Sequence, residues 1–137
     1  MLGLTFKPET DDMRESVSLY VIPKLLASGA KIKAYDPKGM KEAKHYLKGD
    51  IAWCDDADTA MKEADILVIL TEWNEFRSLD LKKVKSLMRG SLVVDLRNIY
   101  KRQDMRAHGF HYVSVGRQET KPNEPWIADL NIESEFS

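Results

Sequence analysis

The stretch ILVIL at residues 66–70 is the clearest fold-determining feature of this sequence. Five consecutive apolar residues, rich in β-branched types, are typical of a short strand that is buried on both faces of a parallel sheet. We therefore predict a central strand at this position, with helices packed on both sides of it.

Short apolar runs alternate with segments of helical periodicity on both sides of the central strand. Strands are predicted at residues 2–6, 31–35, 51–53, 92–96 and 110–115, and helices at 12–28, 40–47, 55–64 and 103–108, with one broken helix or two at 73–88. With right-handed crossovers, this alternation predicts an α/β fold: a Rossmann-like three-layer sandwich with a mostly parallel, doubly wound sheet. About six strands are expected, in the order 3-2-1-4-5-6.

The first helix is predicted to begin at Asp12. Asp12 and Glu15 have the spacing of a capping box, in which the first side chain accepts from exposed backbone N–H groups and the second reaches back. Gly29 is the predicted stop of this helix, since glycine commonly follows a helix end.

Length and composition indicate one globular domain without a general affinity for polyanions. The chain has 137 residues, of which 43% are apolar and 31% charged, and 21 basic residues balance 22 acidic ones. This balance argues against nucleic acid or an anionic membrane surface as a partner. Residues 1–117 are expected to form the domain, followed by a polar tail at 118–137.

The remaining composition favours a soluble, cytoplasmic protein. Cys54 is the single cysteine, so no intramolecular disulfide can form, and no spaced Cys/His set suggests a metal. No stretch approaches the roughly 18 apolar residues of a membrane span, and the first residues lack the profile of a signal peptide.

Three cations follow strands whose carboxyl ends should meet at one edge of the sheet. Lys7 ends the first strand, Arg14 lies in the predicted first helical turn, and Arg97 follows the strand at residues 92–96. Ligands of such sheets bind at this edge, and arginine and lysine suit phosphate oxygens. The alternative is that each arginine pairs with a nearby acid, which for Arg97 is Asp95 or another loop acid, in an ion pair that contributes ~0 to 1 kcal/mol.

Other polar and aromatic residues are interpreted as structural. Asp36 closes the second strand, but no GxGxxG follows the first, so Asp36 is interpreted as a turn residue and a standard dinucleotide site is not expected. Acids beside Cys54 should raise its pKa, which argues against a nucleophile. The segment TEWNEF at residues 71–76 could line the cleft, or Trp73 and Phe76 could cover the core, and core packing is favoured.

Several segments together resemble a known family. Residues 3–16, GLTFKPETDDMRES, closely resemble the stretch that opens the C-terminal domain of the UDP-glucose/GDP-mannose dehydrogenase family. Similar family features follow in the same order and spacing, namely AYDP at 34–37, TEWNEF at 71–76, DLRN at 95–98 and GR at 116–117. The likeness spans about residues 2–117, and the Thr-Glu-Trp element favours the UDP-glucose branch.

The resemblance implies an enzyme that oxidises the C6 alcohol of a UDP-sugar to a carboxylate by two hydride transfers to NAD. In this family an N-terminal Rossmann domain holds NAD, a helical middle region carries the nucleophilic cysteine, and the C-terminal domain closes over UDP. By matching position, Lys7 and Arg97 are expected to bind the UDP-sugar, and Arg14 to face the NAD pyrophosphate.

The chain departs from the complete family pattern. Nothing matches the Gly-rich cysteine motif, so no catalytic residue is assigned, NAD is expected only in the complete enzyme, and this chain alone should not transfer hydride. The expected partners are a nucleotide sugar and the missing N-terminal and middle domains. Two alternatives are a free-standing, non-catalytic nucleotide-binding or regulatory module and a protein-interaction domain.

Overall fold

A computed structural model of the chain describes residues 1–5, 11–13 and 16–115. Lys7, Arg14 and the predicted tail at 118–137 lie outside these ranges. The described elements, in chain order, are α1 (Ser18–Ala27), β1 (Ile32–Ala34), α2 (Met40–Tyr46), β2 (Ile51–Trp53), α3 (Ala57–Met61), β3 (Ile66–Ile69), α4 (Asn74–Arg77), α5 (Leu81–Leu87), β4 (Leu92–Asp95), α6 (Arg102–Ala107) and β5 (His111–Ser114).

All paired strands are parallel and form two small sheets in the described part of the chain. One sheet has the order β1-β2 and the other the order β3-β4-β5. Leu2 makes parallel bridges to Tyr35 and Ile69, and its backbone N–H donates to the Val68 carbonyl at 2.8 Å. Residues 1–3 therefore lie between β1 and β3 and connect the two sheets.

The α/β class with parallel strands is confirmed, but a single six-stranded sheet is not shown. The strand predicted at residues 2–6 is reduced, where the structure describes it, to the bridge at Leu2. Gly3 explains the difference, because its φ of +88° turns the backbone away from the extended conformation directly after that bridge.

The start of the first helix differs from the prediction. It begins at Ser18, six residues after Asp12, and Val17 at its N-cap makes no side-chain capping bond. The hydroxyls of Ser16 and Ser18 instead donate to the Leu4 carbonyl at 2.5 and 2.7 Å. Contacts with a distant backbone segment thus hold the helix start, together with the Ser18 N–H, which donates to the Ser16 hydroxyl at 3.2 Å. Glu15 of the predicted capping box lies outside the described residues. The helix ends before Gly29, as predicted.

Buried apolar side chains form two clusters on opposite faces of β3. Leu67 and Ile69 belong to one cluster, whereas Val68 packs against the other. Successive side chains of a strand point to opposite faces, so both faces of β3 are covered. The prediction of complete burial was wrong for Ile66, which is 49% exposed because it lies at the strand start, beyond the packed residues.

Within the described part of the chain, no helix has both the length and the apolar character needed to cross a bilayer.

Replacing Gly3 with alanine should destabilise the domain by about 3 kcal/mol or more. A Cβ atom there would lie 2.6 Å from Thr71 Cβ and 2.7 Å from its backbone nitrogen, in addition to the strain of a positive φ. Gly29 is the matched control, because its φ is +89° but nothing lies within 4 Å of the added Cβ. Gly29→Ala should cost about 1 kcal/mol in urea denaturation. Equal losses of stability for the two variants would contradict the explanation that the close approach of Thr71 requires glycine at position 3.

Candidate functional site

The carboxyl ends of β1, β3 and β4 carry the polar residues that form the candidate site. Asp36 follows β1, residues 70–73 follow β3, and Asp95 ends β4 just before Arg97. Because these strands run parallel and residues 1–3 connect the sheets, all three loops lie along the same edge, where open α/β sheets bind ligands.

Asp36 organises the first part of this edge. Its carboxylate accepts from the backbone N–H groups of Leu4 at 2.7 Å and Gly39 at 2.6 Å, and from the Trp73 indole N–H at 3.3 Å. The residue is fully buried, so each of these bonds replaces hydration that the carboxylate has lost. Its predicted role as a turn residue is confirmed, and its contacts also join three loops.

Thr71 connects the loop after β3 to the start of the chain. Its buried hydroxyl donates to the Thr5 carbonyl at 2.7 Å. Thr5 also donates its backbone N–H to the Asp36 carboxylate at 3.2 Å. These two bonds hold the backbone immediately before residues 6–10, the segment that contains Lys7.

Trp73 and Phe76 are buried in the core, as predicted. Phe76 packs edge-on against the Tyr35 ring with centroids 6.2 Å apart. The Tyr35 hydroxyl donates to Glu75 at 3.0 Å, and burial together with this carboxylate raises the pKa of Tyr35 to about 12. The buried side chains of Trp73 and Phe76 thus anchor the chain after β3 to the core.

Asp95 holds the loop after β4 in one conformation. Its buried carboxylate accepts from the backbone N–H groups of Arg97 at 2.9 Å and Ile99 at 2.8 Å, and from the Tyr112 hydroxyl at 2.5 Å. Burial and the nearby Asp95 charge raise the pKa of Tyr100, whose backbone N–H also donates to Asp95. Three backbone N–H groups of this loop thus donate to one carboxylate.

Asn98, at the tip of the same loop, has a left-handed backbone with a φ of +56°. Asparagine tolerates this conformation better than most residues. Its side-chain amide donates to the Val115 carbonyl at 2.9 Å, which ties the loop to the residue after β5.

Arg97 extends from this loop to the loop after β3. Its Nε donates to the Leu70 carbonyl at 2.9 Å and lies 3.5 Å from Glu72 Oε2. The Arg97 and Glu72 side chains are 27% and 28% exposed. The alternative that Arg97 pairs with Asp95 or another loop acid is confirmed for Glu72, while Asp95 accepts from the backbone N–H of Arg97 and not from its side chain.

Glu72 belongs to the segment at residues 71–76 that the sequence offered as a lining of the cleft, directly after the central strand, but its contact with Arg97 was not predicted. Arg97 is the one predicted site residue within the described ranges, and Lys7 and Arg14 fall outside them. The convergence of the three cations therefore stays a prediction. Among the described residues, no group of three or more His, Cys, Asp or Glu could hold a metal ion.

Cys54 is buried at the end of β2, and its Sγ lies 3.7 Å from the Ala52 carbonyl. Burial raises the pKa of the Cys54 thiol and outweighs the opposing charge of Lys33, while Asp56 and Asp55 add smaller increases. The sequence had predicted the direction correctly but named the acids, not burial, as the cause.

We expect iodoacetamide to alkylate Cys54 at least about tenfold more slowly in the folded chain than in urea, because the thiolate is disfavoured and access is blocked. Mass spectrometry at fixed times would measure both rates. Comparable rates in the two states would show that the thiol is exposed.

Comparison with known proteins gives concordant matches. Residues 1–102 match the UDP binding domain of the UDP-glucose/GDP-mannose dehydrogenase family. The UDP-glucose 6-dehydrogenase of Rhizobium meliloti (strain 1021) is 50% identical over 119 residues, which are 87% of this chain and 27% of that protein. UDP-glucose 6-dehydrogenase TuaD of Bacillus subtilis (strain 168) is 39% identical over 136 residues, which are 97% of this chain and 30% of TuaD.

Solved structures agree with these matches. The UDP-glucose dehydrogenase of Pyrobaculum islandicum superposes with a TM-score of 0.65 at 31% identity, covering 84% of this chain and 24% of that one. The UDP-D-ManNAc dehydrogenase of Pyrococcus horikoshii superposes with a TM-score of 0.67 at 31% identity, covering 85% and 24%. The chain thus spans less than a third of the length of each of these relatives.

Proposed function

The chain belongs to the UDP-glucose/GDP-mannose dehydrogenase family, and from this membership we propose that it is the UDP-sugar-binding, C-terminal domain of a UDP-glucose 6-dehydrogenase. The complete enzyme would oxidise UDP-glucose to UDP-glucuronate with NAD. The observation that carries the proposal is the match of residues 1–102 to the family's UDP binding domain.

Arg97 is the proposed diphosphate-binding residue at the described edge. Its partly exposed guanidinium lies at the carboxyl ends of the strands, and its loop is held by the buried Asp95 carboxylate. A planar guanidinium can donate two parallel hydrogen bonds to phosphate oxygens. A loop fixed before the ligand arrives spares the entropy of ordering it.

Lys7 and Arg14 complete the proposed site on the strength of the family resemblance. Lys7 would supply a second positive charge for the UDP-sugar, and Arg14 would face the NAD pyrophosphate across an interface with the preceding domain. The hydrogen bonds of the Thr5 backbone with Thr71 and Asp36 fix the residue two positions before Lys7, which supports this proposal.

The described residues do not fit NAD as a dinucleotide site of their own. A Rossmann site offers the backbone N–H groups of a Gly-rich turn after its first strand to the pyrophosphate. In this chain the corresponding N–H groups of Leu4 and Thr5 donate to the Asp36 carboxylate, whose charge would also repel a pyrophosphate. We therefore propose that the domains missing from this chain hold NAD and supply the catalytic cysteine.

Titration of the ¹⁵N-labelled chain with UDP and UDP-glucose tests the binding proposal. Weak binding is expected, because a cleft between domains would bury more of the ligand than one half of it can. The amide signals of Glu72, Arg97 and Asn98 should shift, and glucose alone should leave them unchanged. Absence of shifts with either nucleotide, or shifts at the opposite edge near Asp65 and Arg89, would overturn the proposal.

The affinity found in this titration separates two kinds of protein. A dehydrogenase domain should gain affinity when the missing domains of the Rhizobium meliloti relative are added or fused. Tight binding by the chain alone, with no gain on fusion, would instead identify a free-standing nucleotide-binding module.

A further inference from the structure

The loop after β3 places one hydrogen-bond acceptor and one carboxylate beside the Nε of Arg97. The Leu70 carbonyl accepts its N–H at 2.9 Å, and Glu72 Oε2 lies 3.5 Å from the same nitrogen. Leu70 and Glu72 are separated by one residue, so a single short segment contacts the Nε side of the guanidinium.

This segment is itself held on both sides of Glu72. Thr71 is buried and its hydroxyl donates to Thr5, and Trp73 is buried and its indole N–H donates to Asp36. The backbone of Glu72 therefore lies between two anchored residues. The position of its carboxylate follows from the core of the domain and does not require a ligand.

We propose that Glu72 is a positioning residue for the UDP-sugar: its carboxylate holds the Nε side of Arg97 so that the guanidinium is oriented for the diphosphate before the ligand binds. The inference rests on the proposed function of Arg97. An arginine side chain has several rotatable bonds, and fixing one edge of its planar fork lowers the entropy lost when phosphate oxygens bind.

Glu72 also has an opposite effect, because a carboxylate near the diphosphate repels it. The geometry favours positioning, since Arg97 is the group that Glu72 contacts and its positive charge screens the carboxylate from a phosphate bound to the guanidinium. The two effects predict affinity changes of opposite sign when the side chain is removed, so the experiment can decide between them.

The test uses the 137-residue chain, UDP as the probe, and NMR titration to obtain Kd for each variant. Glu72→Ala should weaken UDP binding by about two- to fivefold, the range expected for the loss of a partly exposed ion pair. Glu72→Gln should show a similar loss, because it removes the charge while the Arg97 Nε–H still donates to the Leu70 carbonyl. Glu72→Asp keeps the charge but shortens the side chain, so it should resemble the alanine variant.

The Arg97 Nε–H signal gives a second readout that does not depend on UDP. This signal should shift and exchange faster in all three Glu72 variants, because the ion pair that holds the guanidinium against the Leu70 carbonyl is lost or weakened. Asp65→Ala is the control, since it also removes the carboxylate partner of an arginine, here Arg89 with two hydrogen bonds at 2.8 and 2.9 Å, but at the amino end of β3. It should change neither the UDP affinity nor the Arg97 signal.

The outcomes separate this inference from the proposed function. If Arg97→Ala leaves UDP binding unchanged, the proposed function of Arg97 fails. If Arg97→Ala weakens binding but Glu72→Ala leaves it unchanged or tightens it, the positioning role alone is overturned. In support of positioning, Glu72→Ala should cause no further loss when Arg97→Ala is already present. If Glu72→Ala does not fold, the UDP affinity of Glu72→Asp relative to the original chain decides the question.

Discussion

Replacing Asp95 with alanine is expected to lower the free energy of unfolding by about 4 kcal/mol. The Asp95 carboxylate is fully buried and accepts from the backbone N–H groups of Arg97 and Ile99 and from the Tyr112 hydroxyl. Alanine would leave the two backbone N–H groups without this acceptor, whereas the Tyr112 hydroxyl would keep the Tyr100 carbonyl at 3.3 Å. Each unsatisfied buried group costs about 1–3 kcal/mol. Urea denaturation followed by circular dichroism would measure the loss.

Asp80→Ala is the matched control for this prediction. The Asp80 carboxylate also accepts backbone N–H groups, those of Lys82 at 3.0 Å and Lys83 at 3.4 Å, but it is an exposed helix cap. Its removal should cost about 1 kcal/mol, because water replaces the lost acceptor. Similar losses of stability for the two variants would show that the buried hydrogen bonds of Asp95 do not hold its loop.

Arg97→Ala should reduce kcat/KM for UDP-glucose by about a hundredfold or more in a complete enzyme, since charge-assisted hydrogen bonds contribute about 1.5–3 kcal/mol each. A suitable enzyme is a chimera in which this chain replaces the matching segment of the Rhizobium meliloti relative, with which it shares 50% identity. Steady-state assays of NADH formation would give kcat and KM separately. Most of the loss should appear in KM if Arg97 mainly holds UDP.

Two further variants test why activity is lost. Arg97→Lys tests the planar guanidinium, and Arg89→Ala tests the location of the arginine. Lysine keeps the positive charge without the planar fork, so an intermediate loss of about tenfold is expected. Arg89 pairs with Asp65 at the amino ends of the strands, away from the proposed site, and its replacement should leave the kinetics unchanged. If Arg89→Ala and Arg97→Ala reduced activity equally, the losses would reflect general destabilisation rather than ligand binding.

Elements with a strong local pattern agreed well between sequence and structure. The runs at residues 66–70 and 92–96 correspond to β3 and β4, and the helix predicted at 40–47 corresponds to α2. Apolar periodicity, flanking turns and glycine stops are local properties, so they can be interpreted from neighbouring residues. The boundaries that failed, at Ser18 and around Leu2, depend on contacts between distant segments.

The sequence by itself determined the class of fold, the family resemblance and the position of Arg97 directly after a buried strand. Only the tertiary structure placed Glu72 and Leu70 beside the Arg97 guanidinium, across a separation of 27 residues for Leu70, and placed Asp36 on the backbone of Leu4 across 32 residues. The physical reason is that side-chain partners across such separations are set by how strands and loops pack together. Residue spacing within one segment contains no information about that packing.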